Sequence, residues 1–213
     1  MVVRVGIHQP NYIPSKAFFD KMKMCDYFIL LDDVQYEKNG FTNRNRLNGW
    51  LSIPVHHKHD TLIKDVEIAN EVNWQRHHVN TMYALSDLQE EHEVSHIKNT
   101  QGCLLCFIDK LYAHPWKNLI GINLAWIKKI CEILEIKTNT TFSTSFDNGH
   151  LKGSDKILDI CERLGATHYV SGPSGRKYLN TLDFDNAGIT IEWLPSQPPT
   201  TLSILDDIFR GKI

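Results

Sequence analysis

Residues 2–33 read VVRVGIHQPNYIPSKAFFDKMKMCDYFILLDD, and their pattern decides the architecture. Val2 to Ile7 is a β-branched run with one charge, ended by His8-Gln9-Pro10-Asn11. It predicts a buried strand that runs into a polar loop. Lys16 to Cys25 sets Phe18, Phe19, Met22 and Met24 among lysines, the pattern of a short amphipathic helix. Tyr27 to Leu31 is a second continuous apolar run, stopped by Asp32-Asp33. Strand, helix and strand within about thirty residues form a βαβ unit, which predicts a parallel sheet in an α/β fold.

Downstream, Leu51 to Val55 predicts another short strand. Apolar residues recur at helical spacing from Asn73 to Leu88 and from Leu104 to Leu134, predicting a helical insertion over about 73–136. Thr138 to Ser145 reads as strand or loop. Lys156 to Leu164 is amphipathic and stops at Gly165, a suitable helix C-terminus. Thr167 to Val170 and Ile189 to Trp193 are strand candidates. Pro195, Pro198 and Pro199 precede a last amphipathic segment, Leu202 to Phe209. No repeat and no long linker interrupts the chain, so a single domain over 1–213 is expected.

The chain has 213 residues and a formal charge of −2, from 23 Lys+Arg against 25 Asp+Glu. That balance removes the global argument for nucleic acid or anionic membrane as partner. No apolar run approaches the ~18 residues a spanning helix needs. The start is too soon interrupted to be a signal peptide. Five cysteines, an odd number in a chain of this size, fit a reduced setting. A cytoplasmic protein is expected.

In open α/β sheets ligands bind beyond the carboxyl ends of strands. Three polar loops follow predicted strands here. In the first, His8 stands directly after a buried strand, where a histidine can serve as acid, base or phosphate donor. Its bland reading is that His8 and Gln9 satisfy backbone groups in a proline-kinked turn. In the second, Asp32 and Asp33 can hold Mg²⁺ or position a nucleophile, or simply terminate the strand. Beyond them, Lys38 to His59 carries Lys38, Arg44, Arg46 and Lys58 with no acidic residue. If that stretch is extended, Arg44 and Arg46 share one side, with Asn43 and Asn45 on the other. Paired arginines can clamp phosphate or carboxylate, or solvate an edge strand. In the third, Ser171-Gly172-Pro173-Ser174-Gly175-Arg176-Lys177 combines small residues with charge. Backbone N–H groups there can approach an anion, although the P-loop spacing is absent.

His92-Glu93-Val94-Ser95-His96 matches H-E-x-x-H, and Cys103 and Cys106 follow at C-x-x-C spacing. The polar surroundings and the missing third ligand argue against a zinc protease, while a structural zinc held by His92, His96, Cys103 and Cys106 stays open. Cys103 and Cys106 sit among Leu104, Leu105 and Phe107, where cysteine reads as a small core residue. His56, His57, His59, His77 and His78 read as surface or partner-satisfied histidines.

Taken together, Ile7 to Pro14, Phe18-Phe19-Asp20-Lys21, Leu31 to Asn39, Asn43-Arg44-Asn45-Arg46 and the Ile53-Pro54-Val55 strand resemble the WbqC-like family. The likeness resumes at Lys152-Gly153-Ser154, at Leu164 to Gly175 and at Leu202 to Asp206. It implies an intracellular bacterial protein associated with O-antigen and other surface polysaccharides, acting on an activated sugar or related substrate. Two segments depart from the family pattern: the polar stretch His92–His96 and the short loop Pro195-Ser196-Gln197-Pro198-Pro199. In outline the chain is also similar to HUP-type nucleotide-binding folds, by fold-level analogy. The second histidine of their HxGH pattern is missing, which weighs against ordinary adenylyl transfer.

The reading that follows is a group transferase acting on a nucleotide-linked or otherwise phosphorylated substrate, with a HUP/Rossmann-like core. His8 is the candidate acid or base, with Asp32 or Asp33 orienting it or holding a divalent metal such as Mg²⁺. Gln9, Asn11, Tyr12, Gln35, Tyr36, Lys38 and Asn43 are candidate pocket residues. Arg44, Arg46 and Lys177 are candidate anion contacts, and Ser171, Gly172, Ser174 and Gly175 candidate loop donors. Two alternatives stay open: a non-catalytic nucleotide-sugar or partner-binding protein, and a nucleobase- or nucleic-acid-modifying enzyme.

Overall fold

A computed structural model of the chain describes residues 1–87, 97–196, 198 and 202–213, with backbone only at Asp87 and over 97–103. In chain order its elements begin with β1 (Arg4–His8), α1 (Lys16–Lys23) and β2 (Tyr27–Leu30). Next come β3 (Arg44–Leu47), β4 (Gly49–Ser52), β5 (Val55–His56) and β6 (Glu67–Ile68). The helices α2 (Gln75–Asp87), α3 (Ile97–Ala113) and α4 (Leu119–Ile133) follow. The chain ends with β7 (Asn139–Phe142), α5 (Gly153–Arg163), β8 (His168–Ser171), α6 (Thr181–Asn186), β9 (Thr190–Trp193) and α7 (Ile204–Phe209).

These elements form two compact units, each assembled from three separate stretches. The first comprises Met1–Pro10, Ala17–Val34 and Glu135–Pro199. It holds a five-stranded sheet in the order β7-β2-β1-β8-β9, parallel throughout. Flanked by helices, this is an α/β Rossmann-like fold. One core gathers Val5, Ile7, Ile29 and Tyr169 from the strands, Ile157, Ile160 and Cys161 from α5, and Phe184 from α6. The α5 helix ends as its sequence predicts, with Gly165 in the left-handed region at φ 63°.

The second unit comprises Asn11–Lys16, Gln35–Leu134 and Thr200–Ile213. It contains the antiparallel β3–β4 hairpin, the short β5–β6 pair and helices α2, α3, α4 and α7. Leu104, Ile108, Ile122, Trp126 and Ile130 are buried in it. The apolar period from Leu104 to Leu134 is divided between two helices, because Pro115 has no N–H to continue the first. Likewise Pro54 separates β4 from β5, where one strand is expected over Leu51 to Val55. Cys106 is exposed on α3, contrary to its reading as a core residue. Leu104 and Ile108 take the buried side, and two positions from each the helix faces away.

No helix among the described residues is long and apolar enough to cross a membrane.

Candidate functional site at the carboxyl edge of the sheet

The strand order places the first strand at the centre, with the chain winding out to β2 and β7 on one side and to β8 and β9 on the other. The crevice of such a sheet opens where the winding reverses, between β1 and β8. Pairing of β1 with β8 ends at Gly6↔Val170. Beyond that point the His8 carbonyl still accepts from Leu31 N on the β2 side, at 2.9 Å. Carbonyls alternate along a strand, so that of Ile7 points toward β8. The Gly172 N–H, which would continue the ladder, does not donate to it. Instead the Lys21 ammonium donates to the Ile7 oxygen at 2.7 Å.

His8 ends β1 at this fork. Its Nδ1 lies 2.9 Å from the Gln9 carbonyl oxygen, and since a carbonyl only accepts, Nδ1 carries the proton. The neutral ring then presents the lone pair of Nε2. Phe18 packs edge-on against the imidazole at 5.0 Å. Burial, and secondarily the Lys21 charge, lower its pKa to about 4 against the opposing pull of the Gln9 carbonyl.

The two acidic residues after β2 have different partners. Asp32 caps the turn that follows β7: its carboxylate accepts from Thr144 N at 3.1 Å, Thr144 Oγ1 at 2.8 Å and Ser143 Oγ at 3.0 Å. Asp33 accepts from Ser143 Oγ at 2.5 Å and pairs with Lys156 Nζ at 2.8 Å. Burial works to raise the Asp33 pKa, but the Lys156 and Ser143 hydrogen bonds and the Lys156 charge outweigh it, and the carboxyl sits below its ordinary value. Lys156 also donates to Asn148 Oδ1 at 2.8 Å and Asn148 O at 3.3 Å. The pair therefore carries its own cation and does not fit a Mg²⁺ site. Among the described residues no group of three His, Cys, Asp or Glu side chains could hold a metal.

On the β8 loop, Ser171 Oγ donates to Gly172 O at 3.1 Å. Gly172 has open space where a Cβ would stand, whereas a Cβ on Gly175 would strike Ser171, Leu179 and Trp193. Ser174 and Lys177 are exposed on the same turn. Gln9 directly follows the strand. Thus His8, Gln9, Asp32, Asp33, Ser171, Gly172, Ser174, Gly175 and Lys177 all belong to one edge of the first unit's sheet.

The remaining candidates belong to the second unit. Asn11 is half-buried. Tyr12 is fully buried, its hydroxyl bonded to His78 Nδ1 at 2.8 Å and to the Tyr112 hydroxyl. Burial first, then His77, lowers the His78 pKa to about 3, so this histidine is neutral. Tyr36 is buried against His57, and the Gln35 amide donates to His59 O. Asn43 donates to Ile53 O at 2.8 Å and braces the hairpin. Asn45 bonds the carbonyls of Tyr12 and Ile13 at 3.2 and 2.8 Å, steadying Ile13 at φ 40°. Lys38 is exposed. Arg44 and Arg46 do share a face of β3, with Trp50 opposite Arg46. Their guanidinium carbons lie 4.3 and 5.7 Å over the Trp50 ring. Trp50 and its neighbour Phe41, with centroids 6.1 Å apart, are 46 % and 50 % exposed.

Two buried cations escape the sequence reading, Lys21 and Lys156. Each lies on the apolar stripe of its helix: Lys21 stands three residues after Phe18, and Lys156 four before Ile160. That spacing was the available signal. His92, Glu93 and His96 lie outside the described residues, as does the side chain of Cys103.

The fold defines a Rossmann-like α/β protein whose central strand ends at the topological switch point of the sheet. The chain belongs to the WbqC-like protein family, which matches residues 9–210. It is also similar to the uncharacterized protein Rv1507c of Mycobacterium tuberculosis, with 30% identity over 203 residues, 89% of this chain and 81% of that protein. No solved structure matches it.

Proposed function

We propose that the switch-point edge is the active site of a group transferase acting on a nucleotide-activated or phosphorylated substrate, in the assembly of bacterial surface polysaccharide. The polysaccharide setting rests on what the family resemblance implies. The observation that carries the reading is the state of His8. A neutral imidazole with Nδ1–H held by a carbonyl and Nε2 unprotonated is prepared to take a proton from an acceptor hydroxyl. With its pKa lowered to about 4, chiefly by burial, the ring is unprotonated at Nε2 at neutral pH. Ser171, Gly172, Ser174 and Gly175 form the loop facing the same edge, and Lys177 adds charge. Asp32 and Asp33 serve this site by fixing the β7 turn and Lys156, not as metal ligands.

The test begins with nucleotides and nucleotide sugars, scored by the rise in thermal stability that a specific ligand causes by mass action. Turnover with the best stabiliser follows. His8→Gln should fold, bind and lose turnover by roughly 10²–10⁴-fold. A folded His8→Gln protein with near-normal turnover refutes the assignment. Binding with no turnover in the wild type supports a non-catalytic nucleotide-sugar-binding protein instead.

A second reading, action on a nucleobase or nucleic acid, is favoured by the second unit's Phe41, Trp50, Arg44 and Arg46. Half-exposed aromatic rings beside guanidinium groups suit base stacking and phosphate contact. Oligonucleotide affinity that falls steeply with salt, and is weakened in Trp50→Leu, would support it. No binding at low salt removes it.

A further inference from the structure

The first unit buries two lysines, and they are provided for differently. The Lys156 ammonium has three acceptors: the Asp33 carboxylate, Asn148 Oδ1 and Asn148 O. Lys21 is equally buried, 3 % exposed, yet its ammonium has one acceptor, the Ile7 oxygen. Among the described residues no carboxylate lies within ion-pair distance of it. Around it also stand the thiols of Cys25 and Cys161 and the rings of Phe28 and Tyr169, the rings 6.0 and 5.8 Å away. An ammonium has three donors, so two are left without an acceptor. An unpaired charge in an apolar setting is costly, and is retained where something else completes it.

Its position says what that is. The ammonium occupies the place on the Ile7 carbonyl that the Gly172 N–H would fill if the sheet stayed closed. The Gly172 N–H has no acceptor among the described residues, and its Cβ side is open. A cation with unused donors and an unused backbone N–H thus meet at the fork of β1 and β8, beside His8. We infer that Lys21 is the anion-binding cation of the switch-point crevice, and that it receives a phosphoryl group of the ligand together with the Gly172 N–H. This rests on the transferase reading above and names the residue that holds the phosphorylated part of the substrate.

The experiment compares wild type, Lys21→Met, Lys156→Met and Lys23→Met by thermal denaturation, with and without inorganic pyrophosphate. Lys23 is exposed on the same helix and is the control. The expected pattern has two parts. Without pyrophosphate, Lys21→Met melts higher than wild type by a few degrees, because an unpaired charge is replaced by an apolar chain of like volume. Lys156→Met melts lower, because Asp33 is orphaned. With pyrophosphate, wild type and Lys23→Met rise while Lys21→Met does not. A Lys21→Met protein that melts below wild type, or fails to fold, overturns the inference by making the lysine structural. So does one that keeps the wild-type response to pyrophosphate, which leaves the transferase reading untouched. A wild type indifferent to pyrophosphate also overturns it, and the transferase reading is then judged by the His8→Gln turnover assay alone.

Discussion

Asp33 and Lys156 form an ion pair of 2.8 Å at the end of β2, with side chains 7 % and 3 % exposed. Its energetic meaning lies in what each partner leaves behind. Lys156→Met strands the Asp33 carboxylate and the Asn148 oxygens in the interior, and should cost about 3–5 kcal/mol. Adding Asp33→Asn to that variant removes the stranded charge and should recover a large part of the loss. Urea denaturation midpoints of the two single variants and the double variant measure this coupling.

Acid should weaken the protein from near neutrality downward. His8 and His78 have folded pKa values of about 4 and about 3, both below the ordinary value of 6.5. The unfolded chain therefore takes up protons below pH 6.5 that the folded chain refuses. Stability present above that pH is lost as pH falls toward 4, by up to about 1.4 kcal/mol per pH unit for each histidine. His78→Gln should flatten the slope of stability against pH between 6.5 and 4, in a series of urea titrations. An unchanged slope would mean that His78 titrates normally.

The Tyr12–His78–Tyr112 network predicts a specific sensitivity. Tyr12→Phe removes only a hydroxyl, but both His78 and Tyr112 lose a partner inside the second unit. A loss of about 1–3 kcal/mol is expected in chemical denaturation, with the fold retained.

Two glycines three residues apart should respond in opposite ways. Gly175→Ala forces a methyl against Ser171, Leu179 and Trp193, and should cost about 1–3 kcal/mol. Gly172 has φ −69° and nothing within 4 Å of a Cβ, so Gly172→Ala should leave the melting temperature nearly unchanged. Ligand-induced stabilisation should nonetheless fall, because the added methyl stands beside the N–H proposed to receive the phosphoryl group. Paired melting curves with the best nucleotide ligand decide the point.

The parallel α/β core was legible because its signals are local. Tyr27 to Leu31 is an uninterrupted apolar run and Val2 to Ile7 is broken only by Arg4, the near-continuous pattern of strands covered on both faces, and Gly165 marks a helix end unaided. His8 and the Ser171–Gly175 loop followed from their positions after strands. What was hidden depends on packing. Lys21 and Lys156 read as solvent-facing until helix phase is compared with the sheet beneath. Tyr12 and Tyr36 look like pocket residues beside polar neighbours, yet tertiary partners draw them inside. Asn43 and Asn45 spend their amides on carbonyls far away in sequence, which no spacing rule reveals. The division into two units was hidden for the same reason, since contacts and not composition draw its boundaries.

That interleaving bears on how the protein is made. During synthesis β1 and β2 emerge well before β8, which alone closes the other flank of β1; the bond from Val3 N to Thr167 Oγ1 spans 164 residues. Until then the central strand of the sheet presents an open edge on the ribosome, able to pair with another nascent chain. The second unit waits longer still, because it takes α7, which follows β8 and β9 in the chain. Removing residues 200–213 should therefore give aggregates and not a smaller folded protein. Slowed translation after residue 34 should prolong the exposure and lower the soluble yield.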